Sequence, residues 1–535
     1  MQLTQNLEQA ISFRGEQDHI FAAQIDEFVA VTIIDRGWLH GCPWCTIARL
    51  ELFISTYGNG WINKENQSSL VELLMDRYLR EGLYCGVANI CESVPTINYP
   101  VPSCPVCGDV PRNLEAAQKL KRTNSITYKI SNEETEDINE RSVSPEAFSE
   151  SVSEVVGPLG IVMPPVIQSS PMLEAVNINS AQNLGSGLEV AGGKGWGFPQ
   201  SHASCIGEAL ERYFLTGVYA NHILASFDEI RNNAVNPFKE FGFPHNNDDF
   251  RALNEFSQIY WHKAENITPG IKKSGTTWVP SEIIFSPPPP APGEKPYTIG
   301  STNGVAAGAN YKEATAQGLL ELIERSVYWY YMRNNIQGKE PNKSDFTENV
   351  IRNIHKNSDW DFKFSVYENR LDVPVIQCVA QHRNSDMCAR GMGASLSKTR
   401  AIERAYLECI QMATSIATGV DVEPSEDHMR SLWYTGECTS VFSAAFDPLP
   451  SKEDYIMETR PPSLQDPAAL LSKMAKCGMQ VYRVVLANFS QFSVVKVIAT
   501  GMTVDDPYHF TNGRYTAIST KENLPSPSYT GTLFM

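Results

Sequence analysis

Two short helical patterns, each ending in Glu-x-x-Glu-Arg, constrain this chain more than anything else in it. The first is Ser201-His202-Ala203-Ser204-Cys205-Ile206-Gly207-Glu208-Ala209-Leu210-Glu211-Arg212. The second is Glu313-Ala314-Thr315-Ala316-Gln317-Gly318-Leu319-Leu320-Glu321-Leu322-Ile323-Glu324-Arg325. On a helix each residue advances by about 100°, so positions three and four apart share a face. Ser204, Glu208 and Glu211 then form one polar stripe, and Glu313, Gln317, Glu321 and Glu324 form another. Ile206, Leu210, Leu322 and Ile323 point elsewhere, as core residues do. A helix with carboxylates on one side and apolar residues on the other predicts an interior polar site. Glycine-rich lead-ins precede both patterns: Gly192-Gly193-Lys194-Gly195-Trp196-Gly197 and Ser301-Thr302-Asn303-Gly304-Val305-Ala306-Ala307-Gly308.

Five carboxylates brought together, Glu208, Glu211, Glu313, Glu321 and Glu324, repel one another, and burial raises their pKa values. A hard divalent cation relieves both effects. Oxygen donors without histidine suit Mg2+ rather than zinc or copper, and carboxylate-bound Mg2+ commonly also binds substrate phosphates. The competing reading is two solvated amphipathic helices with ordinary ion pairs, and either helix alone would be read that way. A third segment weighs against it: Gly391-Met392-Gly393-Ala394-Ser395, followed by a helix in which Arg404, Glu408 and Gln411 share a face. Its glycines alone say little, since turns need glycine for ordinary backbone reasons.

Together the three blocks resemble the YcaO family of ATP-using proteins that modify backbone amides, over roughly Val143 to Tyr515. The resemblance implies that Glu208, Glu211, Glu313, Glu321 and Glu324 hold Mg2+ against the ATP phosphates and so carry catalysis. It places Lys194, Ser204, Arg212, Gln317, Arg325, Glu408 and Gln411 near the nucleotide. The chain also departs from the family pattern. Ala306 and Ala309 stand where many members have a hydroxyl or amide side chain. Gln411 is followed by Met-Ala-Thr-Ser, where many have an arginine. The implied metal ligands are all present.

The chain has 535 residues, which predicts two or more domains. Its 42% hydrophobic and 20% charged residues are those of a globular protein. A formal charge of −17 argues against a nucleic-acid surface. The first residues carry neither a basic segment nor an apolar one, and no apolar run approaches the roughly 18 residues that span a bilayer. A cytoplasmic protein without membrane partners is expected, so its twelve cysteines should be thiols or metal ligands.

Six of those cysteines lie between Cys42 and Cys107. Cys42-Pro43-Trp44-Cys45 and Cys104-Pro105-Val106-Cys107 are paired CxxC knuckles, which together can give the four thiolates of a closed, structural Zn2+ site. Cys85 and Cys91 read as core thiols. Ile20 to Ile34 reads as strands and Leu70 to Leu79 as a helix. This segment resembles, on its cysteine pairs, a shortened relative of zinc-bearing ThiF-like proteins. Residues 113–150 are polar and acidic and read as a linker. The predicted organisation is therefore a zinc-binding α/β domain at 1–112, a linker at 113–150 and a YcaO-type domain at 151–535. The fold class is α+β, with helices packed on β-sheets. Trp278–Phe285, Val373–Ala380 and Gln480–Ala487 read as strands, and the duplicated Glu-x-x-Glu-Arg helix hints at an internal repeat.

The resemblance implies an ATP- and Mg2+-dependent cyclodehydratase. The substrate would be a ribosomally made precursor peptide with a leader. Cys, Ser or Thr would become thiazoline or oxazoline, because its side chain attacks the preceding amide after ATP phosphorylates the amide oxygen. Such a protein needs no nucleophile of its own, and the sequence offers no paired Ser/His/Asp or Cys/His set. His202 reads as structural. Implied partners are a leader-binding ThiF-like protein, a flavin-dependent azoline dehydrogenase and a second copy of the chain. The tail Leu524-Pro525-Ser526-Pro527 partly matches the proline-spaced terminus of azoline-forming members and adds Pro527 to the catalytic residues. Thioamide or amidine formation, a non-catalytic peptide-docking scaffold and a zinc redox protein remain the alternatives.

Overall fold

The computed structural model describes residues 141–502, except 158–159, 169–176, 185–187, 218–221, 242–250, 271–275, 287–295, 299, 419–435, 437, 442, 451–466 and 490. Before these it describes the strands β1 (Gln2–Thr4), β2 (His19–Ile25), β3 (Phe28–Ile34), β4 (Cys85–Asn89) and β5 (Glu92–Pro95), with Cys45, Ala48, Arg49, Leu52 and Val101. The five strands form one sheet in sequence order, and only β1 and β2 run parallel. The apolar alternation from Ile20 to Ile34 thus becomes a hairpin. The expected helix at 70–79 lies outside the described residues.

Helix α1 (Pro145–Ser151) starts where Ser144 accepts from the Ala147 amide and Pro145 presets the first turn. Its Phe148, with Val152 beyond it, joins a core cluster containing Ile206, Ala209 and Leu210. Residues 141–150, which composition assigns to the linker, therefore pack into the body that follows. The polar composition hid this because one aromatic side chain, Phe148, supplies the apolar contact and Arg141, Ser142 and Ser149 supply polar ones.

Next come β6 (Val166–Gln168), β7 (Asn177–Leu184), β8 (Leu188–Gly195) and α2 (Phe198–Leu215). They are followed by β9 (His222–Ala225), β10 (Ile259–Asn266), β11 (Thr276–Pro280), β12 (Val305–Gly308) and α3 (Tyr311–Arg333). Then come α4 (Glu348–Lys356), β13 (Trp360–Tyr367), β14 (Val375–His382), β15 (Cys388–Ala394) and α5 (Lys398–Thr418). The last are α6 (Pro467–Lys476), β16 (Val481–Asn488) and β17 (Ser493–Ala499).

Three antiparallel sheets organise this body: β6-β7-β8, β13-β14-β15, and β11-β10-β16-β17-β12 with β9 on β10. Helix α2 packs on β7 and β8, α3 on β12 and β17, and α5 on β14 and β15. The α+β expectation of helices on sheets holds. Two of these units repeat one plan, a strand pair followed by the helix that covers it. The strand read at 278–285 stops at Pro280, which has no N–H for the ladder, and a single helical turn follows at Ser281–Ile284.

The glycine-rich lead-ins are largely strands. In β8, Ala191, Gly193 and Gly195 face α2, and a Cβ on Gly193 would lie 2.0 Å from the Ser201 carbonyl and 2.4 Å from the Cys205 amide. In β15 a Cβ on Gly391 would meet Ala405 O and Cys409 N, both at 2.2 Å. Glycine here lets the helix backbone lie directly on the strand. That contact fixes which residues of α2 and α5 face outward into the site.

Candidate functional site

Three strand or turn amides each hold one carboxylate. Gly192 N donates to Glu208 Oε2 at 3.3 Å, Ala307 N to Glu211 Oε1 at 2.7 Å, and Gly304 N to Glu321 Oε2 at 3.1 Å. Gly304 offers its amide this way because its φ is +82°, a conformation that glycine adopts without strain. The Val497 amide closes the same turn by donating to Gly304 O at 2.8 Å. The sequence stripes on α2 and α3 are thus real faces, while Ile206, Leu210, Leu322 and Ile323 are buried on the opposite side.

These carboxylates are poorly neutralised. Burial pushes Glu211 up to about 8; the Ala307 amide opposes the shift, and nearby Glu321 and Glu208 add to it. Burial likewise raises Glu321 to about 7, with Arg325 opposing and Glu324 adding. Glu324 is raised too, by burial first, then against Arg325 and with Glu408. Glu208 is the most open of the set and pairs with Arg212 at 3.3 Å, one turn further along α2.

The face toward α5 has the opposite character. Gly192 and Lys194 alternate with the residues that face α2. Lys194 Nζ meets Glu408 Oε2 at 3.2 Å, and Gln411 Nε2 lies 2.5 Å from where a Gly192 Cβ would be. Burial disfavours the charge on Glu408, yet Lys194, Arg325 and Arg390 outweigh it and hold its pKa below the usual carboxylate range. Lys194 is raised despite burial, because Glu408, Glu208 and Glu324 surround it. Arg404 bridges to α3 by donating to Gln317 Oε1 at 2.9 Å, and its other arm reaches Ala394 O at 2.7 Å. Ser204 sits half-buried one turn before Glu208.

The structure brings Glu208, Glu211, Glu321, Glu324, Lys194, Arg212, Gln317, Arg325, Glu408 and Gln411 to one region. Glu313 stands apart from their charges. It lies at the start of α3, eight residues or roughly 12 Å of helix before Glu321, and is held by Arg141 and Ser142. Nor do the carboxylates converge on one point: among the described residues no three His, Cys, Asp or Glu side chains stand together as a metal seat. Backbone amides and ion pairs hold them on separate elements instead.

Two cations escaped the sequence reading. Lys496, buried in β17, donates to Ser301 O at 2.6 Å and lies in the field of Glu321. Arg390, buried in β15, lies with its guanidinium carbon 4.7 Å from the Tyr328 ring centre. A lone basic residue inside an apolar strand run is the signal that would have found either one. His202 contacts Ser149 Oγ at 3.2 Å, and its ring lies tilted against that of Phe198 with 5.1 Å between ring centres. Cys42, Cys104, Cys107 and Pro527 lie outside the described residues. Cys45 is buried and its Sγ accepts from the Val101 amide at 3.2 Å.

A layered α+β body with carboxylates and cations facing each other between glycine-spaced strands defines the class. Residues 192–503 match the family described as "YcaO cyclodehydratase, ATP- and Mg2+-binding", and the chain belongs to the YcaO family. A solved structure titled as a heterocyclase in complex with substrate and cofactor is similar at 18% identity and TM-score 0.68, over 95% of this chain and 75% of that one. The heterocyclase TruD is similar at 17% identity and TM-score 0.55, over 93% of this chain and 71% of that one. A YcaO protein from Methanopyrus kandleri, solved with AMPPCP and Mg2+, is similar at 19% identity and TM-score 0.51, over 72% of this chain and 97% of that one. These likenesses show the fold. Among curated proteins no relative matches. No helix among the described residues is long and apolar enough to cross a membrane.

Proposed function

We propose that this chain is an ATP- and Mg2+-dependent peptide cyclodehydratase. The observation that carries the reading is the division of the site. Glu211 and Glu321, both half-buried, and buried Glu324 lack enough positive charge, while Lys194 is held ready by Glu408 on the facing helix. Such a site fits a divalent cation and phosphates. Mg2+ is usually held by one or two carboxylates and completed by substrate phosphates, so carboxylates spread over two helices suit it better than a single cage would. Glu208, Glu211, Glu313, Glu321 and Glu324 would hold the metal, which would offset charge on the phosphates. Lys194, Ser204, Arg212, Gln317, Arg325, Glu408 and Gln411 would line the nucleotide.

In this reading a Cys, Ser or Thr side chain of the peptide adds to the preceding amide carbon. The amide oxygen takes the γ-phosphoryl group of ATP and releases ADP. Loss of phosphate carries that oxygen away and leaves the azoline, a net loss of one water from the peptide. The protein's own residues position the amide oxygen against the phosphate and keep the charges matched, as in phosphoryl transfer generally. Intact mass of a candidate precursor after incubation with ATP and Mg2+ tests this. Loss of one water per event supports it; an oxygen-to-sulfur exchange means thioamide formation; no change with peptide bound means a scaffold.

Residues 1–112 would carry structural Zn2+ on Cys42, Cys45, Cys104 and Cys107. Support comes from the Val101 amide on Cys45 Sγ, since Cys104 follows Val101 by three residues and is within chain reach of Cys45. Metal analysis of reduced protein, with one zinc expected per chain, checks it. Pro525 and Pro527 would stiffen a tail that orders the peptide site. Deleting 525–535 should slow modification and leave ATP affinity nearly unchanged. A leader-bearing precursor, a ThiF-like leader-binding protein, a flavin-dependent dehydrogenase and a second copy of the chain complete the proposed partners.

A further inference from the structure

Glu313 is buried at 3% exposure, yet its carboxylate is taken up by the residues that open the described body. Ser142 gives Glu313 Oε2 both its amide, at 3.0 Å, and its hydroxyl. Arg141 Nη1 meets Oε1 at 3.0 Å. Asn310 caps α3 by accepting from the Glu313 amide at 3.0 Å, and its own amide group donates to Ser142 Oγ at 3.0 Å. The stem of Glu313 lies on Gly308, the residue after the one whose amide holds Glu211. Glu313 therefore stands at the strand end that serves the carboxylate site.

We propose that Ser142 is a positioning residue for Glu313, and that Arg141 is a stand-in cation which leaves Glu313 when a magnesium nucleotide binds. This rests on the site reading above. A carboxylate oxygen offers about two lone-pair positions. Among the described residues, two donors fill those of Oε2, while Oε1 has one donor and one position left. Ser142 is neutral, so its two bonds hold the carboxylate in the same orientation whichever cation is present. Arg141 carries the charge that a buried carboxylate needs in the empty state. A guanidinium and Mg2+ on the same oxygen repel, so one displaces the other. Arg141 is 55% exposed and can turn into water at little cost. Neighbouring residues thus act with opposite sign, which a purely structural clasp would not do.

The test uses the full chain at pH 8. Binding of a non-hydrolysable ATP analogue is followed by calorimetry at several Mg2+ concentrations, and the half-saturating Mg2+ concentration is read. Ser142→Ala should raise it roughly 3- to 10-fold, and Ser142→Thr should stay within about twofold of the parent. Arg141→Ala should lower it about 2- to 5-fold, because the competitor is gone, while Arg141→Lys should restore the parent value. Loss of stability in either alanine variant does not imitate this, since it would weaken binding in both. Shifts in the same direction, or no shift, overturn the inference alone. Absence of Mg2+-dependent nucleotide binding in the parent chain overturns it together with the proposed function. If Ser142→Ala fails to fold, the sign of the Arg141→Ala shift decides by itself.

Discussion

Glu321 on α3 and Glu408 on α5 are the same residue type, both enclosed by protein and both facing the same region. Their titration moves in opposite directions. Glu321 rises to about 7 because burial, with like charge from Glu324, outweighs Arg325, Lys496 and the Gly304 amide. Glu408 falls below the ordinary range because Lys194, Arg325 and Arg390 outweigh the same burial. The contrast separates two roles that residue identity alone does not distinguish. In the proposed reading, a carboxylate left short of positive charge is one that would take a cation. A carboxylate already surrounded by cations is a strut, here for Lys194. In that reading the α2–α3 side would receive positive charge and the α5 side would supply and hold it.

The largest expected effect lies on the receiving side. Glu321→Gln keeps the shape and removes a charge, so ATP turnover should fall roughly 100-fold or more. Stability without nucleotide should hold or rise, since repulsion with Glu324 is relieved. Turnover assays and urea unfolding on one preparation check both; normal turnover would remove Glu321 from the site. The strut should behave in reverse. Glu408→Gln strips Lys194 of its partner and should cost about 1–3 kcal/mol of stability by urea unfolding. Equal stability changes in the two variants would break the distinction.

A smaller effect appears in the pH dependence of the protein without nucleotide. Glu211, Glu321 and buried Glu282 have folded pKa values of about 8, 7 and 7, above the ordinary 4.5. The folded state then binds more protons than the unfolded one across that interval, so stability falls as pH rises from about 4.5 to about 8 and levels off beyond. Glu408 contributes the opposite slope, losing stability as pH falls below the unfolded value. Melting temperatures from pH 5 to 9 should therefore decline and then flatten, and a Glu211→Gln, Glu321→Gln double variant should show a shallower decline. A rise over that range would contradict the poor neutralisation of the α2–α3 side. The smallest change is expected at His202, whose ring meets Ser149 Oγ on α1 and Phe198 on its own helix. His202→Gln should leave turnover within about twofold and stability within about 1 kcal/mol.

Much of the site was legible because helical spacing is local. Glu208 and Glu211, or Gln317, Glu321 and Glu324, share a face whatever the rest of the chain does. The α+β class and the strands read at 20–34, 373–380 and 480–487 follow from apolar patterns of similar range, and the structure sets the last two at Val375–His382 and Val481–Asn488. Glu313 shows the limit. Spacing put it in line with Glu321, but Arg141 and Ser142, more than 170 positions earlier, take its carboxylate. Lys496 and Arg390 were missed for a related reason: their partners come from other strands and helices. The lead-in glycines were uninformative in sequence, since a strand that a helix must approach within van der Waals contact selects glycine just as a turn does.

By itself the sequence determined which side chains share a helix face, where apolar runs must be buried, and that oxygen donors rather than thiols or imidazoles line the larger site. Those properties depend on residues within a turn or two of one another. Only the tertiary structure decided which carboxylates are neutralised. That depends on where Lys194, Arg325, Arg390 and Lys496 come to rest, and on which strand amides point at which helix. Electrostatic energy depends on distance through space and on burial, and neither is a function of separation along the chain.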